Sequence, residues 1–380
     1  MSITDLLLLG QGHDLASERG VSCTGELPAP SDPELRERAL RARASLGSKA
    51  FVLGHHYQRD EVIEFADVTG DSFKLAREAA ARPEAPYIIF CGVHFMAESA
   101  DILTSQNQQV ILPDLAAGCS MADMANYEQV SECWRVLEEL GIASSTTPVT
   151  YMNSSAAIKA FTGEHGGTVC TSSNAQTTLT WAFARGERVL FLPDQHLGRN
   201  TAVLKMGLTL DECVVWNPWK PRGGLTDAEI RSAKMILWRG HCSVHARFSV
   251  ESIHQVRERI PDVQVIVHPE CQHEVAINAD IIGSTEQIIT TINQAPSGSK
   301  WAVGTELNLV KRLAQQHPDK QIVFLDKSVC YCSTMNRIDL PHLVWAMESL
   351  VEGRVVNEIK VPERIAYFAR VALDRMLSLT

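Results

Sequence analysis

Four cysteine contexts in this 380-residue sequence set a thiol among loop-forming or polar neighbours: Gly118-Cys119-Ser120-Met121, Gly240-His241-Cys242-Ser243-Val244-His245, His268-Pro269-Glu270-Cys271 and Cys330-Tyr331-Cys332-Ser333-Thr334-Met335. None has the paired CxxC spacing of a zinc ribbon. Thiols dispersed this widely suit a metal centre assembled from separate parts of the chain, and iron–sulfur clusters accept such ligands from distant loops. Three thiolate ligands in place of four would leave one iron open to substrate. Taken singly, each cysteine also reads as a small buried hydrophobe. Position separates them. Cys119 and Cys242 lie near glycines at loop-to-helix junctions, and Cys332 follows a strand in a Met-containing turn. Cys91 and Cys170 fall in apolar strands, and Cys133 and Cys213 in ordinary helix or strand surroundings, so these four are assigned to packing. Cys23 lies in an unpatterned N-terminal region, and Cys271 and Cys330 stay open as further ligands or structural thiols.

The elements that must carry these residues repeat a strand-loop-helix unit. A helical stretch over about 33–46 leads into the apolar run from Lys49 to Gly54, followed by Pro86 to Gly92 and Gln109 to Asp114, each ending in polar or small residues. A second series begins at Pro148 to Asn153, Thr168 to Ser172 and Arg188 to Pro193. A third comprises Val263 to His268, Ala279 to Gly283, Trp301 to Gly304 and Gln321 to Asp326. Strands alternating with helices imply parallel sheets whose ligands sit beyond the carboxyl ends of the strands. Tyr151, His268 and the loop before Cys119 all fall there. The expected fold is therefore α/β, with three similar αβα domains over 1–147, 148–260 and 261–345 facing one central site, and a helical segment over 346–380 packing on the core. Thr226 to Glu229 has capping-box spacing, and Ile365, Phe368, Val371, Leu373 and Met376 recur at helical spacing in a closing helix.

Composition narrows the class. Hydrophobic residues are 45% and charged residues 21% of the chain, as in a globular enzyme rather than a disordered one. A net charge of −10 argues against a broad phosphate-tracking surface and hence against nucleic acid as partner, while leaving room for a local anion pocket. Leu6 to Leu9 is short, follows Asp5 and has no basic flank or cleavage site, so no signal peptide is expected. No apolar run approaches the roughly 20 residues that span a bilayer. Cytoplasm, with reduced thiols, is the expected compartment.

Ten ordered blocks between about Lys49 and Leu340 together resemble the quinolinate synthase family. They are His55-His56-Tyr57-Gln58, Gly70-Asp71-Ser72, Pro113 through Asp123, Tyr151-Met152-Asn153, Thr171 through Ala175, Trp238 through His245, His268-Pro269-Glu270-Cys271, Gly283-Ser284-Thr285, Gly304-Thr305-Glu306 and Cys332-Ser333-Thr334-Met335. The resemblance implies three αβα domains in pseudo-threefold arrangement around a [4Fe-4S] cluster, with Cys119, Cys242 and Cys332 as its ligands and one iron serving as a Lewis acid. It implies a transferase-type condensation of iminoaspartate with dihydroxyacetone phosphate to quinolinate, phosphate and water, in de novo pyridine nucleotide (NAD) biosynthesis. An aspartate-oxidising enzyme is the implied pathway partner. Cys330 adds a second thiol beside the single cysteine of the family's last block.

That chemistry needs anion-holding groups, an acid/base system and exclusion of bulk water. Ser72, Ser173 and Thr285 lie where helix N-termini would direct partial positive charge at anions, although a hydroxyl at such a junction also serves simply as an N-cap. By resemblance, Tyr57, Tyr151, His268 and Glu270 are the catalytic set, and His55, Met152, Asn153, His245 and Pro269 join them in holding substrate. A strand-end His followed two residues later by a carboxylate can share one cavity, with Glu270 taking a proton while His268 or Tyr151 stabilises a developing enolate or alkoxide. His245, three residues after Cys242, orients the cluster site or binds substrate. Two other readings stay open: an iron–sulfur hydro-lyase acting on a small di- or tricarboxylate, and a noncatalytic iron–sulfur redox sensor. The gathering of His, Tyr and Glu at several strand ends weighs against the sensor.

Overall fold

A computed structural model describes residues 27–327 and 331–379, whose backbone falls into two compact units. The first contains residues up to Cys119 together with Cys332–Val361; the second contains Ser120–Tyr331 with Pro362–Thr380. The expectations for Leu6 to Leu9, Cys23 and Cys330 lie outside the described residues.

In the first unit, β1 (Ala50–His55) is buried at every position, as a strand covered on both faces requires. It pairs in parallel with β2 (Val68–Gly70) on one side and β3 (Tyr87–Cys91) on the other, and β3 pairs in parallel with β4 (Gln109–Ile111). A short strand, Glu358–Ile359, closes the β4 edge antiparallel. Helix Leu340–Val351 packs on helix Leu35–Leu46, where Arg38 grips Glu348 through both carboxylate oxygens at 2.9 and 2.6 Å.

The second unit holds two all-parallel sheets. One has β5 (Thr146–Tyr151), β6 (Thr168–Cys170), β7 (Arg188–Leu192), β8 (Cys213–Trp216) and β9 (Met235–Trp238) in the order β6-β5-β7-β9-β8. The other has β10 (Gln264–Val267), β11 (Ile281–Ile282), β12 (Lys300–Gly304) and β13 (Gln321–Phe324) in the order β11-β10-β12-β13. The molecule is thus a mixed α/β protein with three parallel-dominated sheets, consistent with three αβα domains.

All ten expected strands form. The structure adds β2, β9 and the edge strand to these, and places Cys213 on a strand, β8. β2 and the edge strand are too short to show a period, and the apolar run of β9 does not distinguish a buried strand from a buried helix. The helix expected directly after Cys119 begins later. Asn126 caps Tyr127–Glu139 by accepting from the Gln129 amide at 2.9 Å, and only a 3-10 turn, Ala122–Met124, intervenes. The capping box at Thr226 and Glu229 is formed. Helix Glu363–Leu377 closes the second unit by burying Ala369, Ala372, Leu373 and Met376 and packing on helix Ala156–Glu164. Their approach depends on Gly163, where a Cβ would strike the Phe368 carbonyl oxygen. Among the described residues, no helix is long and apolar enough to cross a membrane.

Candidate active site

The second unit brings together Tyr151, Cys242, His245, His268 and Glu270. Tyr151 ends β5, and its hydroxyl donates to Glu270 Oε1 at 2.7 Å. Glu270 follows β10 in a turn closed by the Cys271 amide on the His268 carbonyl at 3.0 Å. Its other oxygen, Oε2, lies 2.9 Å from His245 Nδ1, while His245 Nε2 lies 3.3 Å from the hydroxyl of fully buried Thr305. The His245 and His268 rings stack with centroids 4.6 Å apart. Cys242, His245 and Glu270 present sulfur, nitrogen and oxygen donor atoms within 4.8 Å of one another, a set that could hold a metal ion.

Charge in this pocket is set by burial. Burial pushes the His268 imidazole down to about 3, so it is neutral at ordinary pH and its 3.7 Å approach to Glu270 is not an ion pair. Burial alone would raise the Glu270 carboxyl. The neighbouring His245 imidazole and the Tyr151 hydroxyl outweigh it and hold Glu270 below the usual carboxylate range, ionised. Asp194 responds the other way: burial and the nearby Glu270 charge push it well above its usual range.

Asp194 was not singled out in the sequence, yet it organises the Cys242 loop. It follows β7, bridges in parallel to Gly240, accepts from the His196 and Leu197 amides at 2.6 and 2.8 Å, and receives the Cys242 amide. Gly240 is required there, because a Cβ would strike the Pro193 carbonyl oxygen. The Trp238 indole donates to the Met124 carbonyl at 2.6 Å and anchors the strand that leads into this loop.

The other expected residues in this unit lie at strand and helix ends. Met152 is buried, its amide donating to the Cys170 carbonyl at 2.8 Å, and Asn153 follows it half-buried. Pro269 is buried beside Glu270. Thr285 begins helix Thr285–Gln294, but Ser284 is its cap. Ser173 is exposed in the turn after β6, its amide donating to the Thr171 hydroxyl at 3.2 Å.

In the first unit, His55 ends β1 buried, with its ring edge-on to Tyr57 at 4.8 Å and its Nδ1 receiving the Tyr57 amide at 3.1 Å. Ser72 begins helix Ser72–Ala80, and Asp71 rather than Ser72 is the cap. The loops carrying Cys119 and Cys332 are tied together. Buried Asp114 accepts from the Ala116 amide at 2.9 Å and from Arg337 Nε at 2.8 Å, while the Asn336 amide donates to the Cys332 carbonyl at 3.0 Å. Arg59 adds a bond to the Asn336 carbonyl at 3.0 Å.

The thiols differ in exposure, with Cys213 in the same half-buried class as Cys119, Cys242 and Cys332. Cys119, Cys242 and Cys332 are half-buried in loops. Cys91, Cys133 and Cys170 are fully buried, and burial pushes each thiol up, to about 12 for Cys91, which disfavours the thiolate a metal needs. Cys271, open in the sequence, belongs with them: it packs with Val267, Val275 and Ala302, donates to the Gly304 carbonyl at 3.8 Å, and is likewise pushed up by burial. Cys213, half-buried on β8, is raised to about 11.

Comparison with known proteins agrees with these motifs. The quinolinate synthetase A protein family matches residues 38–378. The quinolinate synthase of Streptomyces coelicolor is 70% identical over 98% of this chain and 95% of its own length. Those of a Nocardioides species and of Bacillus subtilis are 67% and 54% identical, each over all of this chain and over 98% and 100% of their own lengths. The chain belongs to the quinolinate synthase family of enzymes.

Proposed function

We propose that the chain condenses iminoaspartate with dihydroxyacetone phosphate to quinolinate, phosphate and water in NAD biosynthesis, with Glu270 as the central proton-transfer group. The observation that carries this is the buried, ionised Glu270 carboxylate, held by the Tyr151 hydroxyl on one oxygen and His245 on the other. A carboxylate fixed in a water-poor pocket beside a phenol and a neutral imidazole is equipped to take a proton α to a carbonyl or imine. Tyr151 and His268 then face the oxygen that becomes an enolate or alkoxide.

Cys119, Cys242 and Cys332 are assigned as ligands of a [4Fe-4S] cluster. The donor set fits: these three thiols are loop-borne and half-buried, whereas Cys91, Cys133, Cys170 and Cys271 are sealed in apolar surroundings. When bound, such a cluster would supply an iron without a protein ligand, a Lewis acid suited to dehydration. The protein's own share is to bind and orient. Ser72, Ser173 and Thr285 hold carboxylate or phosphate, His55, Tyr57, Met152, Asn153, His245 and Pro269 line the substrates, and Tyr57 shares in proton transfer. Three αβα domains over 1–147, 148–260 and 261–345, facing one centre in pseudo-threefold arrangement, would shelter unstable intermediates from hydrolysis. Because iminoaspartate is hydrolytically unstable, functional coupling to an aspartate-oxidising enzyme follows. The test is anaerobic purification with iron and sulfide analysis, followed by a quinolinate assay with and without dihydroxyacetone phosphate. A cluster-bearing protein that turns over a di- or tricarboxylate without the triose would favour a hydro-lyase.

A further inference from the structure

Asn200 ends helix Gln195–Asn200, on the far side of the helix from the Asp194 cap, and is 2% exposed. Its amide nitrogen Nδ2 donates to two carbonyl oxygens at once, those of Pro269 and Cys271, both at 2.9 Å. These carbonyls flank Glu270 on either side in sequence. The Asn200 carbonyl oxygen Oδ1 lies 2.8 Å from Nδ1 of His273, which begins the next helix. One side chain from the layer after β7 therefore grips the turn after β10 at three points, and the amide orientation is set by the His273 contact. The backbone changes gait directly afterwards, with Thr201–Lys205 forming a π turn, a wide geometry recurrent near functional sites.

A turn carrying a buried carboxylate has little freedom to place it. The Tyr151 hydroxyl and His245 fix the ends of the Glu270 side chain, but neither fixes the backbone from which it projects. Asn200 does. We infer that Asn200, oriented by His273, is a positioning residue that sets the place of Glu270 for proton transfer, acting through the carbonyls of Pro269 and Cys271 without touching substrate itself. The inference rests on the reading of Glu270 as the proton-transfer group. It also links the two strand-end loops functionally, because the helix that Asn200 ends begins at Asp194, which receives the Cys242 amide.

The experiment compares steady-state kinetics of anaerobically prepared wild type, Asn200→Leu, Asn200→Asp, His273→Leu, His273→Gln and Glu270→Gln. Iron content, thermal melting and hydrogen exchange of the 268–273 segment are recorded for each. Asn200→Leu keeps the volume and loses both donors; Asn200→Asp keeps the shape and turns a carboxylate oxygen toward the two carbonyls. Both are expected to lower kcat by about 10-fold or more with KM within about threefold of wild type, because misplacement of a reacting group is felt mainly in the chemical step. Iron content stays at the wild-type level and exchange in 268–273 rises. His273→Leu is expected to give a smaller loss in kcat, and His273→Gln, which keeps a donor for Oδ1, to restore most of it. Wild-type kcat in Asn200→Asp or Asn200→Leu at normal iron content would overturn the inference. So would a loss that merely tracks lost iron or lost folded protein, or equal losses in the two His273 variants. If Asn200→Leu does not fold, Asn200→Asp and the His273 pair decide. Glu270→Gln separates the two claims: near-normal turnover in that variant sinks the reading of Glu270, whereas an inactive Glu270→Gln beside a wild-type Asn200→Asp sinks only the role of Asn200.

Discussion

The Tyr151 hydroxyl donates a buried 2.7 Å hydrogen bond to Glu270 Oε1, joining the end of β5 to the turn after β10. Because the acceptor is an ionised carboxylate, this bond is of the strong, charge-assisted kind. Together with the His245 imidazole, the larger influence, it holds Glu270 below its usual range against a burial that would raise it.

Removing that donor isolates its contribution. Tyr151→Phe leaves the ring and loses only the hydroxyl, and a hydrogen bond to a charged group contributes about 1.5–3 kcal/mol. The expected outcome is a fall in kcat/KM of about 10- to 100-fold, checked by steady-state kinetics at matched iron content.

Acid sensitivity follows from the buried imidazoles. Burial holds His268 at about 3 and His196 at about 4 in the folded protein, below the ordinary value of 6.5. The unfolded chain therefore takes up protons below pH 6.5 that the folded chain refuses. The stability these groups contribute is complete above pH 6.5 and is lost as pH falls, down to about 4 for His196 and about 3 for His268. In His268→Gln, urea unfolding of the metal-free protein between pH 6 and 4.5 should show a slope smaller by about one proton. Asp194, raised by burial, acts in the opposite sense but is common to both proteins, so the difference reports His268.

The thiols should divide in two. Cys133→Ala and Cys271→Ala, both in sealed cores, are expected to keep full iron content and to lose about 1 kcal/mol of stability. Cys119→Ala, Cys242→Ala and Cys332→Ala are expected to lose iron. Iron and sulfide analysis beside denaturant midpoints makes both comparisons.

The closing helix offers a test of packing remote from chemistry. At Gly163 an added methyl group meets the Phe368 carbonyl, so Gly163→Ala forces helix Glu363–Leu377 away from helix Ala156–Glu164. Overpacking of this kind costs about 1–3 kcal/mol, read from the denaturant midpoint with an unchanged slope.

What was legible in the sequence was whatever is local. His268, Pro269 and Glu270 stand in one short run after an apolar strand, and Tyr151 ends another, so their placement at strand ends followed from period and run length. The burial of Cys91, Cys133 and Cys170 followed from their apolar surroundings, whereas Cys213 is half-buried. Asn200 and Asp194 carried no such signal. Asn200 acts on carbonyls that lie in a different sheet layer, and an asparagine inside a helical run has no local mark of that. Asp194 looks like an ordinary helix cap, which it is; its contact with the Cys242 loop is made across β7 and β9. Asp71 and Ser284, rather than Ser72 and Thr285, take the caps because each side chain sits one residue before its helix, a shift too fine for pattern to resolve.

The most direct measurement is anaerobic quinolinate formation from iminoaspartate and dihydroxyacetone phosphate by wild type and by Glu270→Gln at equal iron content. The account predicts triose-dependent quinolinate from wild type and a rate at least about 100-fold lower from the variant, the scale of a lost general base. Undiminished turnover by Glu270→Gln would contradict it.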